Sequence, residues 1–198
     1  MNHYHTPPLP GLIVSRWQIN PQWTLFLDRD GVINQNLKTQ YVRSVEQFAF
    51  IEQVPDVIKQ LRRYFCRILV VTNQQGIGKG LMTDEDLYAI FRYIQTATDD
   101  SIDGFFFCPH LAQVRCLCRK PNIGMALQAR IQFPGIDLRQ AIMVGDSATD
   151  IAFGKKLGMK TVFVTNNEPL LPKQIPPADL VCANLPEFAT IFWNSLPA

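Results

Sequence analysis

Two aspartates separated by one residue follow a short apolar run, in the segment L-F-L-D-R-D-G-V-I-N from Leu25 to Asn34. A run of this length predicts a buried strand, and ligands of open α/β sheets bind beyond the carboxyl ends of such strands. Asp28 and Asp30 are therefore expected at a substrate site, where one carboxylate attacks an electrophile and the other transfers a proton. Aspartates that merely begin a turn are the alternative. A calcium loop is excluded, because the twelfth position is Thr39 instead of glutamate.

Three cysteines and one histidine lie within eleven residues, in the segment C-P-H-L-A-Q-V-R-C-L-C. Three thiolates and one imidazole make a complete tetrahedral zinc set with no open position, so the metal would be structural. The C-x-C spacing suits neither an internal disulfide nor the C-x-x-C redox motif. A chance cluster is the alternative. The expected zinc ligands are Cys108, His110, Cys116 and Cys118.

Polar residues also follow two later apolar runs that predict strands. Thr72 and Asn73 follow R-I-L-V-V, and Asp146 follows A-I-M-V-G, with Asp150 four residues further on. The carboxyl ends of parallel strands meet at one edge of a sheet, so these side chains are expected beside the first two aspartates. Such oxygen ligands suit Mg²⁺, and cations neutralise a phosphoryl group in transfer. The segment R-K-P supplies two cations near the same edge, Arg119 and Lys120.

A glycine-rich segment, N-Q-Q-G-I-G-K-G, runs from Asn73 to Gly80. It matches neither the dinucleotide-binding G-x-G-x-x-G motif nor the G-x-x-x-x-G-K-[ST] phosphate loop. We interpret it as a flexible substrate loop in which Lys79 contacts a second phosphate. A solvated lysine without such a role is the alternative.

These candidates sit on an alternation of strand and helix patterns that begins at Trp23. Strands are predicted at residues 23–27, 67–71, 104–107, 141–144, 161–164 and 179–181. Helices are predicted at residues 55–64, 124–133, 149–157 and 185–193, with another that is capped by Thr83 and includes residues 87–94. The alternation predicts a single-domain α/β fold with a doubly wound, mostly parallel sheet and helices on both faces. Residues 1–22 are expected to form an irregular arm and residues 23–198 the domain, with a zinc loop at 108–118.

Length and composition agree with a globular enzyme. The 198 residues are 47% hydrophobic, which suits one domain with a sizeable core. Nineteen basic and seventeen acidic residues give a net charge of +2, so nothing points to nucleic acid or to a membrane surface. No apolar stretch approaches the roughly eighteen residues of a membrane span, and the first residues do not resemble a secretory signal. The odd number of cysteines suits a reduced compartment, so we expect a cytoplasmic protein.

The order D-x-D-G-V, T-N, K-P, G-D-S-A-T-D resembles the four motifs of the haloacid dehalogenase (HAD) superfamily of phosphatases. The resemblance extends over residues 25–164 and implies an aspartyl-phosphate mechanism. Asp28 would attack phosphorus, and Asp30 would protonate the leaving oxygen and then activate water. Thr72 would donate to the phosphoryl oxygens, and Lys120 would hold Asp28 and the phosphate. Mg²⁺ would be held by Asp28, the backbone carbonyl of Asp30, and Asp146.

The motifs C-x-H, C-x-C and R-K-P are similar to those of a small, cap-less branch of the superfamily. That branch contains the heptose 1,7-bisphosphate phosphatases and the histidinol-phosphate phosphatases. The segments R-D-G-V-I-N, Tyr41-Val42 and V-T-N-Q-Q-G-I-G-K-G look more like the heptose enzymes. The single histidine, with five residues between it and Cys116, is closer to the pattern of the histidinol-phosphate enzymes. Ser147 departs from both groups, in which lysine or arginine is expected at this position.

The resemblance implies a monomeric phosphatase that takes a small phosphorylated substrate, most simply removing the 7-phosphate of D-glycero-D-manno-heptose 1,7-bisphosphate. Asn73, Arg119 and Lys79 would contact that substrate. Histidinol phosphate is the alternative substrate. A phosphosugar-binding protein that has lost turnover is an alternative of another class, although the predicted catalytic residues are intact.

Overall fold

The computed structural model describes residues 9–37 and 40–197. Every strand and helix predicted from the sequence patterns is present, with ends within three residues of those predicted. The strands are β1 (Thr24–Leu27), β2 (Arg67–Asn73), β3 (Gly104–Cys108), β4 (Ala141–Gly145), β5 (Lys160–Val164) and β6 (Leu180–Cys182). The helices are α1 (Pro10–Ser15), α2 (Val54–Leu61), α3 (Gln75–Gly78), α4 (Asp84–Ala97), α5 (Gly124–Gln132), α6 (Ala148–Lys156) and α7 (Leu185–Trp193).

The six strands form one sheet in the order β3-β2-β1-β4-β5-β6, and every pairing between them is parallel. This is a doubly wound order, in which the chain runs outward from β1 in one direction and then from β4 in the other. The crevice at the carboxyl ends of β1 and β4 is therefore the expected ligand site. The predicted doubly wound sheet is confirmed, and it is parallel throughout.

Helices cover both faces of the sheet because alternate strand residues point to opposite sides. Leu25 and Leu27 pack into one apolar cluster with α1, α2, α4 and α7, whereas Phe26 packs into the other with α5 and α6. All three side chains are fully buried. The prediction of helices on both faces is therefore confirmed, and β1 is held in place from both sides.

The N-terminal arm, predicted to be irregular, contains a helix over Pro10–Ser15. Its proline lies in the first turn, where a missing N–H costs nothing and the fixed φ favours the helix. Val14 and Trp17 are buried in the same cluster as Phe188 and Phe192 of α7. The helix is therefore stabilised by tertiary packing, which a short local sequence does not reveal. Residues 1–8 of the predicted arm lie outside the described residues, and the division at residue 22 stays a prediction.

In the part of the chain that the structure describes, no helix has both the length and the apolar character needed to cross a bilayer.

Candidate active site and metal centres

The carboxyl ends of β1 and β4 bring Asp28 and Asp146 together at the reversal of the sheet. The Asp28 N–H donates to Val144 O at 3.0 Å, so Asp28 extends the pairing of β1 with β4. Gly31 adopts φ +79°, and a Cβ there would lie 1.9 Å from Asp146 Oδ2. Only glycine permits both the left-handed backbone and this close approach. Glycine at position 31 is therefore required for Asp146 to occupy its position beside Asp28.

Lys120 is buried beneath these acids, with 2% of its surface exposed. Its Nζ lies 2.9 Å from Asp28 Oδ1, 2.6 Å from Asp150 Oδ1 and 2.6 Å from Val71 O. The contact with Val71 O is a hydrogen bond and those with the two carboxylates are ion pairs, so three acceptors crowd around the ammonium. Burial alone would lower the pKa of Lys120, but attraction to Asp150 and Asp28 outweighs burial and raises it. Lys120 is therefore a cation at neutral pH.

Asp150 is a second partner of this lysine; the sequence analysis placed it at this edge of the sheet without giving it a specific role in the mechanism. It is fully buried, and its Oδ2 accepts from Ser147 Oγ at 2.6 Å and from Ser147 N at 3.1 Å. Ser147 is the N-cap of α6, and the two residues form a capping box. The S-x-x-D spacing is the sequence signal that could have identified the pair. Ser147, which departs from the related motifs, orients Asp150 toward Lys120.

Asn73 lies beside the backbone of Lys120. The Lys120 N–H donates to Asn73 Oδ1 at 3.0 Å, and Asn73 Nδ2 donates to Lys120 O at 3.2 Å. Both polar atoms of the amide are thus bonded to the segment that carries the lysine. A contact between Asn73 and substrate, as predicted from the sequence, would have to use the second N–H of Nδ2 or the second lone pair of Oδ1.

Asp30 faces a different set of partners from Asp28. Arg29 Nη2 contacts its two carboxylate oxygens at 2.7 and 2.8 Å, and Asn34 Nδ2 donates to it at 3.0 Å. Gln74 Nε2 donates to Asp30 Oδ2 at 2.9 Å. Burial alone would raise the pKa of Asp30, but the charge and hydrogen bonds of Arg29, with those of Asn34 and Gln74, lower it. Asp30 is therefore ionised in the resting site.

Gln74 joins two of the predicted catalytic residues. Its Nε2 donates to Thr72 Oγ1 at 2.8 Å as well as to Asp30, and its backbone N–H donates to Cys108 O at 2.8 Å. Gln74 and Thr72 are both buried. The sequence analysis missed Gln74 and Arg29, because a glutamine in a loop and an arginine between two acids have no recognisable spacing signal.

Carboxylate oxygens of Asp28, Asp146 and Asp150 lie within 4.8 Å of one another. Burial, partly offset by Lys120, and repulsion from Asp150 and Asp146 raise the pKa of Asp28 to about 8. Burial and repulsion from Asp150 likewise raise the pKa of Asp146 to about 6. A divalent cation would relieve this repulsion, and oxygen donors are the ligands that Mg²⁺ prefers. Both carboxylate oxygens of Asp150 are in contact with Lys120 or Ser147, whereas Asp28 contacts Lys120 through Oδ1, so Asp28 and Asp146 are the two side chains better placed to bind such an ion.

The four predicted zinc ligands converge after β3. Sγ of Cys108 lies 3.1 Å from that of Cys118 and 3.5 Å from that of Cys116, and His110 Nδ1 lies 3.1 Å from Cys118 Sγ. Sulfurs around a tetrahedral zinc, at about 2.3 Å from it, lie about 3.8 Å apart, so the set needs little rearrangement to hold zinc. All five cysteines are free thiols. The Arg119 N–H donates to Cys116 Sγ at 3.4 Å, which connects the cluster directly to the segment of Lys120.

The glycine-rich segment, predicted to be a flexible loop, contains the helical turn α3. The Gly78 N–H donates to Pro109 O at 3.0 Å, which holds the turn against the zinc loop. Lys79 follows the turn, and its Nζ contacts Tyr41 OH at 2.9 Å. Arg119 lies on the other side of the zinc loop, with Nη1 at 3.4 Å from His110 O. These two predicted substrate-binding cations therefore lie on the β3 side of the site.

A cavity of about 600 Å³ opens on the opposite, β5 side, next to Asp146. Its polar lining comes mainly from amide side chains, and none of the described residues that line it is a lysine or an arginine. Within residues 9–37 and 40–197, the two sides of the site thus differ in charge, with the cations on the side of the zinc loop.

The fold and this arrangement of acids around a buried lysine are those of HAD-like phosphatases, and residues 117–188 match the HAD-hydrolase-like family model. A heptose 1,7-bisphosphate phosphatase from B. bronchiseptica, crystallised with magnesium and phosphate, superposes with a TM-score of 0.74 at 27% identity, covering 88% of this chain and 100% of that one. The D-glycero-beta-D-manno-heptose-1,7-bisphosphate 7-phosphatase of Escherichia coli is 35% identical over 173 residues, 81% of this chain and 88% of that protein. The D-glycero-alpha-D-manno-heptose-1,7-bisphosphate 7-phosphatase of Mycobacterium tuberculosis is 45% identical over 133 residues, 66% of this chain and 70% of that protein. The chain belongs to this heptose-1,7-bisphosphate 7-phosphatase family of the HAD superfamily.

Proposed function

We propose that this protein removes the 7-phosphate of D-glycero-D-manno-heptose 1,7-bisphosphate, with Asp28 as nucleophile. The observation that carries the proposal is the buried contact between Lys120 and Asp28 at the reversal of the sheet, with Asp146 at the same edge. A carboxylate attacks a phosphate dianion only where cations reduce their mutual repulsion. The lysine supplies one such charge in a site with little water, where its effect is greatest.

In the first step, an Asp28 carboxylate oxygen bonds to phosphorus while the bond between phosphorus and the sugar oxygen breaks. Asp30 donates a proton to that departing oxygen. Asp30 is ionised in the resting site, so it takes up this proton as substrate binds, because an approaching dianion raises the pKa of a neighbouring carboxyl. In the second step, Asp30 removes a proton from a water molecule whose oxygen attacks phosphorus, and Asp28 is released.

Asp28, Asp146 and the backbone carbonyl of Asp30 would hold Mg²⁺, which would screen the negative charge between nucleophile and phosphate. Lys120 favours the ionised form of Asp28 and orients it, and Asp150 keeps Lys120 charged. The Thr72 hydroxyl accepts from Gln74 and is left with its own proton to donate to a phosphoryl oxygen.

Zinc at Cys108, His110, Cys116 and Cys118 would have a structural role, because four protein ligands leave no position for water or substrate. Closing this loop fixes the segment that begins with Arg119 and Lys120. Arg119 and Lys79, on the side of the zinc loop, would contact the 1-phosphate. Remote contacts of this kind raise the rate by positioning the reacting end.

The proposal extends to the setting of the enzyme. Free thiols throughout the described structure suit a reducing cytoplasm, and we propose that the protein works there as a monomer built from one domain, residues 23–198. Size-exclusion chromatography with light scattering tests the oligomeric state.

A substrate comparison tests the function. We expect kcat/KM for heptose 1,7-bisphosphate to exceed that for the heptose 7-monophosphate, and Lys79→Ala or Arg119→Ala to narrow the difference. Both the α and the β anomer of the heptose bisphosphate should be assayed, because the M. tuberculosis relative is named for the α form and the E. coli relative for the β form. A tenfold preference for histidinol phosphate, about 1.4 kcal/mol in transition-state binding, would overturn the heptose assignment. Failure to release phosphate from p-nitrophenyl phosphate with Mg²⁺ would indicate a binding protein instead.

A further inference from the structure

The hydroxyl of Tyr41 lies between two nitrogen donors on the β3 side of the active site. Gln75 Nε2 lies 2.7 Å from Tyr41 OH, and Lys79 Nζ lies 2.9 Å from it. The Lys79 ammonium also lies 5.0 Å from the centroid of the Tyr41 ring. Tyr41 is only partly buried and Lys79 is exposed, so this group is open to an incoming molecule.

The orientation of the Gln75 amide is fixed by its other end. Its Oε1 accepts from the backbone N–H of Ala112 in the zinc loop at 3.2 Å. The atom that faces Tyr41 is therefore the NH₂ group, which can only donate. The Lys79 ammonium can also only donate. The Tyr41 oxygen thus accepts two hydrogen bonds, one of them from a cation.

The proton of the Tyr41 hydroxyl cannot point toward either neighbour, because neither has an acceptor to offer it. The O–H must therefore donate to something else, and accepting two hydrogen bonds polarises it as a donor. Lys79 has two further N–H donors besides the one used by Tyr41. Together the two side chains present a set of donors with a positive charge, which is suited to a phosphate oxygen.

This donor pair lies close to the site of reaction. Gln74, which contacts both Asp30 and Thr72, is the residue immediately before Gln75. A Cβ on Gly76 would lie 3.4 Å from the Tyr41 ring, so the ring packs directly on α3. Hydrogen bonds thus connect the zinc loop to Gln75 of α3 and Gln75 to Tyr41. The residue just before α3, Gln74, contacts the catalytic carboxylate of Asp30.

We infer that Tyr41 is a specificity-determining residue whose hydroxyl donates directly to the remote phosphate monoester of a bisphosphorylated substrate, together with Lys79. The inference rests on the proposed function, since it assigns a binding partner to the phosphate that is not hydrolysed. It adds a neutral donor to the two cations identified from the sequence. It also gives the zinc loop a part in recognition, because Ala112 fixes the amide that orients Tyr41.

Tyr41→Phe tests the inference, because it removes the hydroxyl and keeps the ring beneath Lys79. We expect the ratio of kcat/KM for heptose 1,7-bisphosphate to that for the 7-monophosphate to fall by roughly tenfold or more, as for other hydrogen bonds to charged groups. Tyr88→Phe is the matched control, since Tyr88 is an exposed tyrosine of α4 with ring contacts to Phe91 and Phe107. It should leave the ratio as in the wild type.

A double-mutant cycle with Lys79→Met separates direct binding from mere support of the lysine. If Tyr41 donates to the phosphate itself, Tyr41→Phe lowers the bisphosphate ratio by roughly threefold or more even when Lys79 is already replaced. If Tyr41→Phe has no further effect in that background, the hydroxyl acts only through Lys79 and the inference is overturned.

The substrate preference of the wild-type enzyme shows whether a negative result contradicts the inference about Tyr41 alone or the proposed function as well. If the wild type favours the bisphosphate and Tyr41→Phe retains the full preference, Tyr41 is not a phosphate ligand although the function stands. If the wild type hydrolyses p-nitrophenyl phosphate but shows no preference for the bisphosphate, the proposed substrate is wrong and the inference falls with it.

Discussion

Replacing Asn73 with alanine is expected to disturb Lys120 instead of weakening a contact with substrate. The change removes the two hydrogen bonds between the Asn73 amide and the Lys120 backbone, at 3.0 and 3.2 Å. Each such hydrogen bond contributes about 1 kcal/mol, so the free energy of unfolding should fall by about 2 kcal/mol. For a chain of this length that corresponds to a Tm about 4–8 °C lower.

The same change should lower kcat for every phosphate ester. Displacement of the ammonium by about 1 Å is sufficient for a loss of about a hundredfold. Because the loss arises at the nucleophile, it should be equal for the heptose bisphosphate and for p-nitrophenyl phosphate. Calorimetry with steady-state kinetics on both substrates measures the two effects.

Asn20→Ala is the matched control for this prediction. Asn20 is an exposed asparagine before β1, at the opposite end of the sheet, and its side chain accepts one hydrogen bond from Gln22 N at 2.9 Å. It should leave kcat unchanged. A selective rise in KM for the bisphosphate in Asn73→Ala, with Tm and kcat as in the wild type, would refute the reasoning and restore Asn73 as a substrate contact.

Three further results are expected. Asp28→Asn should keep the fold by circular dichroism and lose turnover, and near-normal activity would contradict its role as nucleophile. Cys116→Ser should lower both the zinc content by elemental analysis and the Tm, because structural zinc supplies much of the folding energy of such a loop; protein purified without chelators that holds no zinc would exclude the site. Folding raises the pKa of Asp28 to about 8 and that of Asp146 to about 6, from an ordinary value of 3.8. In metal-free protein the protonated carboxyls therefore contribute fully to the free energy of unfolding below about pH 4, and this contribution is lost as the pH rises through the two raised values. Mg²⁺ binds the ionised carboxylates, so it should raise Tm more at about pH 8 than at about pH 5, and an equal shift at both pH values would argue against this pair as ligands.

Local patterns were sufficient to predict the framework of the fold. The run R-I-L-V-V of β2 is β-branched and buried on both faces, as expected for a central parallel strand. Thr83 caps α4 through a capping box with Asp86, an interaction between residues three apart. In both cases the residues that determine the structure lie within a few positions of one another, so the sequence alone identifies them.

The elements that were missed depend on distant residues. The four residues of α3 include two glycines, and the Gly78 N–H is held by Pro109 O, which comes 31 positions later in the chain. Helix α1 depends likewise on α7, near the other end of the chain. Neither helix has a local pattern strong enough to predict it.

The candidate site shows the same division. The types and order of its motif residues predicted a group of acids with Lys120 and a group of three cysteines with one histidine, and the structure brings the members of each group together. The partners of these residues could not be identified in this way. Asn73 pairs with Cys108 across β2 and β3, and this register determines what the Asn73 and Gln74 side chains can reach. Register is set by the packing of whole strands, so a motif does not report it.

The three acceptors around the Lys120 ammonium have a consequence for product release in the proposed mechanism. An arriving phosphate is attracted by the charge of the ammonium, but it can approach Nζ closely only if one of these acceptors withdraws. Asp150 and Val71 O are held in the buried framework, so Asp28 is the acceptor that yields, as its oxygen turns toward phosphorus. When hydrolysis frees Asp28, the carboxylate can return to the ammonium. Inorganic phosphate would then lose its close contact with the ammonium at the moment when it has to leave, so Lys120 would assist product release as well as attack.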